Sequence, residues 1–501
     1  MENLLVLPIV IPLVTAGFCL LASRRIRLQR SLSLFGMVAL TIATLALFDA
    51  VRSEGILVIQ AGAWPAPYGI TLVADRLSAM MLLLSAIAGL AVTAYAGWSV
   101  GERRERFHFY PLLHVLLLGI SGSFLTGDLF NLYVCFEVML MASFVLLCLG
   151  GERAQLEGGV KYVILNLISS AIFLTATGLL YGAVGTLNMA DLSVRIAQYE
   201  NREVINSLAM LFLVAFGLKA ALFPFAFWLP ASYHTPPFAV SAIFAGLLTK
   251  VGVYALLRVF TMLFVGDPDF THTVIGILAA ASMVFGALAA LSQKDIRRVF
   301  AFQIMSTVGF MALGIALGTP LAIAAVVFYL AQDVILKCNL FMLGGVADKL
   351  RGSGNLDKLG GFWKTKPFFS ILFLISLLTL AGVPPLPGFW PKLALLRSTI
   401  ETGEGVLVAA VVLAAFLTLF SSIRIWSGGI WRDAPPPDLE PTDLAEREKD
   451  ARWMMVPAAG LSGLLLAYAL AAGPVFDYAE AAADQLLNPQ VYVQAVLGEG
   501  N

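Results

Sequence analysis

Lys219 and Lys250 lie deep inside uninterrupted apolar sequence, in the stretch FGLKAALFPFAFWLPASYHTPPFAVSAIFAGLLTKVGVYALLRV. A lysine held in hydrocarbon costs about 2.5 to 3.5 kcal/mol by insertion scales, so such residues persist where they serve an ion or proton path. Lys219 precedes the turn LPASYHTPP by about ten residues and Lys250 follows it by about twelve; at ~1.5 Å per residue both sit roughly 15 to 18 Å from that surface, near the middle of a bilayer. Glu137 is about eight residues inside LFNLYVCFEVMLMASFVLL. An acid at that depth needs a cationic partner, for which Lys219 is the candidate. The alternative for a single pair of this kind is static glue between helices. Lys250, Lys337 and Lys392 add further buried cations, however, against one further intramembrane acid, Asp333. Lysines that outnumber their counter-charges hold protons loosely, which suits them to pass protons on. Asp333 and Lys337 are spaced i, i+4 and can pair on one helix face, as a local salt bridge or as part of a relay. His234, in the turn, is a point where protons could be admitted; His108, His114 and His272 read as incidental.

The elements carrying these residues are interrupted. Pro384, Pro385, Pro387 and Gly388 break the run FFSILFLISLLTLAGVPPLPGFWPKLALL, and broken helices at membrane depth are tolerated where they line a cavity or site. Lys392 follows Pro391 at the start of the second half-helix, where the positive end of the helix dipole opposes its charge. Pro224 breaks the run that holds Lys219, but there the lysine precedes the proline, toward the carbonyl end. Two interrupted helices with one lysine each are the pattern expected of two related halves.

The rest of the chain reads as membrane. Of 501 residues 59% are hydrophobic and 13% charged, with a mean hydropathy of +0.87, against about 25% charged in soluble domains. Net charge is zero, from 32 basic and 32 acidic residues, so nothing points to nucleic acid. Cys19, Cys135, Cys148 and Cys338 all lie in apolar runs without a C-x-x-C pair, and no metal, nucleotide, flavin or other cofactor site is visible. The first apolar run, 4–22, has its basic residues behind it, in RRIRLQR, and reads as a permanent span rather than a signal peptide. Stretches long enough to cross about 30 Å of hydrocarbon number roughly fourteen. The seventh, 206–229, and the twelfth, 367–398, are the broken ones. Basic residues cluster in the loops after the odd-numbered spans, which puts those loops in the cytoplasm and both termini outside. Three pieces do not span: GILVIQAGAWPAPYGITLVAD as an external hairpin, LNMADLSVRIAQYENREVIN as an amphipathic surface segment, and DAPPPDLEPTDLAEREKDAR as a cytoplasmic linker.

At these residues the chain resembles the antiporter-like family shared by respiratory complex I and the Mrp cation/proton antiporters. K-x-x-L-F-P-F-x-x-W-L-P, then P-P-x-x-V-S-A and K-x-G-V-Y, run from Lys219 to Tyr254. GDLFNLYVCFEVMLMASFVLL and LTKVGVYALLR are most similar to the D-type Mrp subunits. The resemblance implies an all-α polytopic fold with two inverted five-helix repeats, spans 4–8 and 9–13. The regions are then 1–108 (three helices and the hairpin), 109–264, 272–430, and 431–501 (linker, last span and external tail). It implies Glu137 and Lys219 as a coupled pair, Lys250 as the central lysine and Lys392 as the terminal one. The implied function is movement of protons in exchange for sodium or another monovalent cation in a bacterial cell membrane, within a hetero-oligomeric complex. The rival reading is an antiporter-like component of a quinone- or ferredoxin-linked oxidoreductase. This chain has Ala226 where complex I relatives tend to carry histidine in F-P-F-H-x-W-L-P, and Asp333 where many members carry histidine.

Overall fold

The computed structural model describes residues 3–433 and 441–498. Helices make up 82% of the described residues, and the one sheet among them is a two-stranded hairpin. Among the described residues twelve helices are long and apolar enough to cross a membrane, and two shorter apolar ones, Phe109–Leu125 and Pro367–Ala381, accompany them. Their ends are set by short polar side chains. Asp128, Asp295 and Thr319 each accept a backbone N–H at the start of the helix that follows, satisfying donors that hydrocarbon cannot.

The helices differ sharply in enclosure. The apolar windows of Phe238–Met262, Pro320–Arg351 and Ile296–Leu317 are 100%, 94% and 89% buried in protein, against 33% for Asn3–Leu21 and 28% for Ala445–Leu470. Nearly all side chains in the apolar windows of the first three are therefore enclosed by protein. The chain breaks two spans as expected. Arg202–Ala220 ends at Ala221, a non-glycine residue with φ 62°, and resumes after Pro224 with Trp228–Ser232. Pro367–Ala381 ends at Gly382, with φ 81°, and resumes at Phe389–Glu401. A π-helical turn at Phe244–Leu248, unanticipated from sequence, immediately precedes Lys250.

The expected hairpin is present. Strands β1 (Leu57–Gln60) and β2 (Thr71–Ala74) pair antiparallel with Leu57 opposite Ala74 and Gln60 opposite Thr71. The surface segment forms the helix Met189–Gln198, which buries Met189, Ala190, Leu192 and Ile196 along one side. The acidic linker is a correction. Residues 434–440 lie outside the described residues, but from Pro441 the chain is already in the helix that runs to Leu470. AEREKDAR is rich in strong helix formers, and ion pairs Lys349–Asp450 (2.7 Å) and Lys366–Glu448 (2.8 Å) dock this turn to the protein. The tail adds the helices Ala472–Leu487 and Pro489–Leu497, and Gln60 donates to the carbonyl of Val496 at 3.3 Å, which ties the tail to the hairpin.

Candidate functional site

Three ionisable side chains meet in the most enclosed part of the protein. Asp333 Oδ2 lies 2.8 Å from Lys250 Nζ, and Asp333 Oδ1 lies 3.8 Å from Lys337 Nζ; all three side chains are 0% exposed. Lys250 also donates to the carbonyl of Ala245 at 2.8 Å, within the π-helical turn. Thr307 donates to Asp333 Oδ2 at 3.3 Å from the neighbouring helix. Two amines share one carboxylate, and Lys337 Nζ has no hydrogen-bond partner. The contact of Thr307 with Asp333 sets an antiparallel register that puts Gln303, one turn earlier on its helix, level with Lys337, one turn later on the other. Neither amide atom of Gln303 has a partner, and Thr249 Oγ1 and Gln332 Oε1 are also buried and unpaired. Such a cluster of unmet polar atoms is where buried proteins hold water.

Lys219 and Lys392 flank this triad, each at a helix break. Lys219 sits in the last turn of Arg202–Ala220 and donates to Ser170 Oγ at 2.8 Å and to the carbonyl of Asn166 at 3.4 Å, both on Arg153–Val184. Its helix is approached closely by Gly252, where a Cβ would come within 2.4 Å of the backbone nitrogen of Ala220. The helix of Lys250 thus packs directly on the break beside Lys219. Lys392 Nζ donates to the carbonyls of Leu380 (2.8 Å) and Ala381 (3.1 Å).

Two expectations change. Glu137 and Lys219 do not form a contact ion pair: Glu137 Oε1 is buried without a hydrogen-bond partner, and the group facing Lys219 Nζ from that helix is the Phe136 ring, 5.8 Å away. Neighbouring residues project about 100° apart on a helix, so with Phe136 on the buried face Glu137 turns aside and acts on Lys219 through space only. Nor does Lys392 simply oppose a helix N-terminus. Its chain reaches back across the break to the carbonyl end of Pro367–Ala381, where a cation is favoured.

His234 lies between Ser232 and Phe238, outside the spanning helices. A carbonyl only accepts and a guanidinium only donates, so Nδ1–H donates to the Pro230 carbonyl (2.9 Å) and Nε2 accepts from Arg298 (3.1 Å). Burial, and then the Arg298 charge, push its pKa below the ordinary histidine value.

A family model described as NADH:quinone oxidoreductase/Mrp antiporter, transmembrane, matches residues 126–418. The chain is 42% identical over 500 residues to the D-type subunit of the Na(+)/H(+) antiporter of Alkalihalophilus pseudofirmus, covering 100% of both chains. The chain belongs to the NADH:quinone oxidoreductase/Mrp antiporter family. Identity to the D-type Na(+)/H(+) antiporter subunit of Bacillus subtilis is 40% over 502 residues, again covering 100% of both. Among solved structures, a chain of the Mrp complex from Dietzia sp. DQ12-45-1b matches with a TM-score of 0.91 at 30% identity, covering 99% of this chain and 100% of that one. A chain of respiratory complex I from Thermus thermophilus shares the fold, with a TM-score of 0.81 at 24% identity over 97% of this chain and 100% of that one.

Sequence reasoning missed several buried polar groups of this antiporter-family chain. Asn166 and Ser170 were legible as polar residues four apart in an apolar run, the spacing of one helix face. Arg258 was legible as a second cation two turns beyond Lys250. It pairs with Asp75 at 2.6 Å, with both side chains under 10% exposed, and donates to Tyr254 Oη at 3.1 Å. Asp75 also caps the helix Arg76–Ser99, so this pair locks two spans together.

Proposed function

We propose that this chain is the D-type component of a multisubunit sodium/proton antiporter in a bacterial cell membrane, part of a secondary transporter rather than an enzyme. Protons pass along Lys219, Lys250, Lys337 and Lys392, with Asp333 between the central pair, Glu137 biasing Lys219 through space, and His234 at the cytoplasmic turn. The observation that carries the reading is the fully buried Lys250–Asp333–Lys337 cluster, flanked by one lysine at each helix break. Identity across the full length of two D-type antiporter subunits favours the antiporter over a redox-linked complex.

Fourteen crossings, with both termini outside, accommodate the twelve long and two short apolar helices and the basic loops. The regions are 1–108, 109–264, 272–430 and 431–501, the middle two being inverted repeats. Their correspondence is supported by local geometry. Asp128 bridges Asn188 as Asp295 bridges Asn355, each partner displaced by 167 residues. Gly119 lies against the backbone of Cys135 and Met139 as Gly286 lies against Phe302 and Ser306, with the same displacement.

The test is Lys219→Ala in the complete complex, assayed in everted vesicles with a pH-sensitive dye. Transport disappears while the complex still assembles on a native gel. Wild-type proton flux in that variant would refute the reading.

A further inference from the structure

A cleft of about 510 Å³ opens between Ile26–Glu54, Arg76–Ser99, Pro320–Arg351 and the two helices Pro441–Leu470 and Ala472–Leu487. Its walls are Phe48, Met80, Leu84, Ile87, Leu464 and Tyr468, and its charged residues are all at one end: Arg52, Arg76 and Asp477. Arg52 lies in the last turn of its helix and Arg76 opens the next, so both sit at the same membrane face. Neither arginine has a carboxylate within 4.0 Å among the described residues. The Arg76 guanidinium lies 5.6 Å from the centre of the Tyr478 ring, which itself stacks on Phe48 at 4.9 Å.

We propose that this cleft binds an anionic phospholipid, its phosphate on Arg52 and Arg76 and one acyl chain along the apolar walls. The length fits: from Arg76 to Ile87 is eleven residues, about 16 Å, the depth of one leaflet of a core about 30 Å thick. The two tyrosines of the interior have no hydroxyl proton free for an occupant, because Tyr478 donates to the Arg76 carbonyl (2.8 Å) and Tyr468 to the Phe328 carbonyl (3.2 Å). A soluble anion would leave these walls wet. Asp477 shares the rim, and against two arginines it leaves a net positive charge of one for the phosphate. At its deep wall the chain meets Ala331 and Ile335, two residues either side of Asp333, on the face of that helix opposite the carboxylate. The lipid therefore backs the helix that positions Asp333 and Lys337.

The probe is phosphatidylglycerol with a photoreactive group midway along one acyl chain, added to the purified multisubunit complex in phosphatidylcholine nanodiscs. The label should fall on the peptides containing Met80–Ile87 and Leu464–Tyr468. Excess unlabelled phosphatidylglycerol should suppress it while phosphatidylcholine does not, and R52Q/R76Q should lower it about tenfold. Equal suppression by both lipids would mean boundary lipid only and overturn the proposal. So would a photoreactive residue at Leu84 cross-linking to another protein of the complex. The competition uses wild-type protein and does not depend on the variant folding.

Discussion

The two helix breaks are built alike yet hold their lysines differently. At each, a residue in the left-handed region closes the first half-helix: Ala221 N–H bonds the carbonyls of Gly217 and Leu218, and Gly382 N–H those of Leu378 and Thr379. A helix end in hydrocarbon must also find donors for its remaining carbonyls. At the first break the Trp228 indole adds a second donor to the Leu218 carbonyl, at 2.9 Å. At the second the Lys392 ammonium donates to the carbonyls of Leu380 and Ala381. A neutral indole at the first break frees Lys219 to reach a side-chain hydroxyl on the next helix. Lys392 is instead part of the break's own architecture. The two lysines are therefore not interchangeable: the shorter bond of Lys219 goes to Ser170, which substitution can remove, while both bonds of Lys392 go to backbone, which it cannot.

The largest effect expected of any single change is at Gly388. Its φ of −68° suits any residue, but a Cβ would meet the Thr379 carbonyl at 1.8 Å across the break. That overlap with backbone is too deep for the usual overpacking cost of about 1 to 3 kcal/mol to describe: Gly388→Ala should forbid the second break outright and release Lys392 from its carbonyls, seen as loss of assembled complex on a native gel. Normal assembly and transport would show that the second break is as adaptable as the first.

Next is Asp333→Asn, which strips the carboxylate shared by Lys250 and Lys337. Breaking a fully buried pair costs about 3 to 5 kcal/mol, which should lower the melting temperature of the purified complex. Lys250→Met with Asp333→Leu should restore the melting temperature without restoring transport. Recovered transport in the double variant would reduce the cluster to a structural tie.

Smaller effects separate the two breaks. Trp228→Phe removes one of the two donors to the Leu218 carbonyl, leaving the Ala221 N–H, and should cost about 0.5 to 1.5 kcal/mol. Ser170→Ala removes a hydroxyl and should cost about 1 to 2 kcal/mol, rescued by Thr. If Lys219 is the tunable lysine, Ser170→Ala changes the pH profile of transport, whereas Trp228→Phe lowers stability with the profile unmoved. Identical profiles in both variants would erase the distinction drawn between the breaks.

The smallest effect is at His234. Its depressed pKa means that its contribution to stability is whole above the ordinary value of 6.5 and declines as the pH falls below that, because the unfolded chain takes up the proton first. The slope is at most about 1.4 kcal/mol per pH unit. Melting temperatures of wild-type and His234→Gln complexes should diverge between pH 7.5 and 5.5, with the wild type falling faster. Parallel curves would sink the assignment of a neutral, Arg298-bonded ring.

Much of this was written along the chain. The membrane class, the apolar stretches, the hairpin and both breaks follow from composition, period and proline placement, since hydrocarbon leaves a backbone few choices. So does the family, through the motif between Lys219 and Tyr254. Which polar groups meet was decided only in three dimensions. The spacing of Asp333 and Lys337 announced their i, i+4 contact, but the nearer partner, Lys250, lies 83 positions away and was brought in by helix packing. Depth alone pairs Glu137 with Lys219, yet on the helix of Glu137 it is the neighbouring Phe136 whose ring faces Lys219, 5.8 Å away. Depth is a one-dimensional property that the sequence carries residue by residue, while azimuth around a helix depends on every neighbour it packs against, and contact between buried charges needs both.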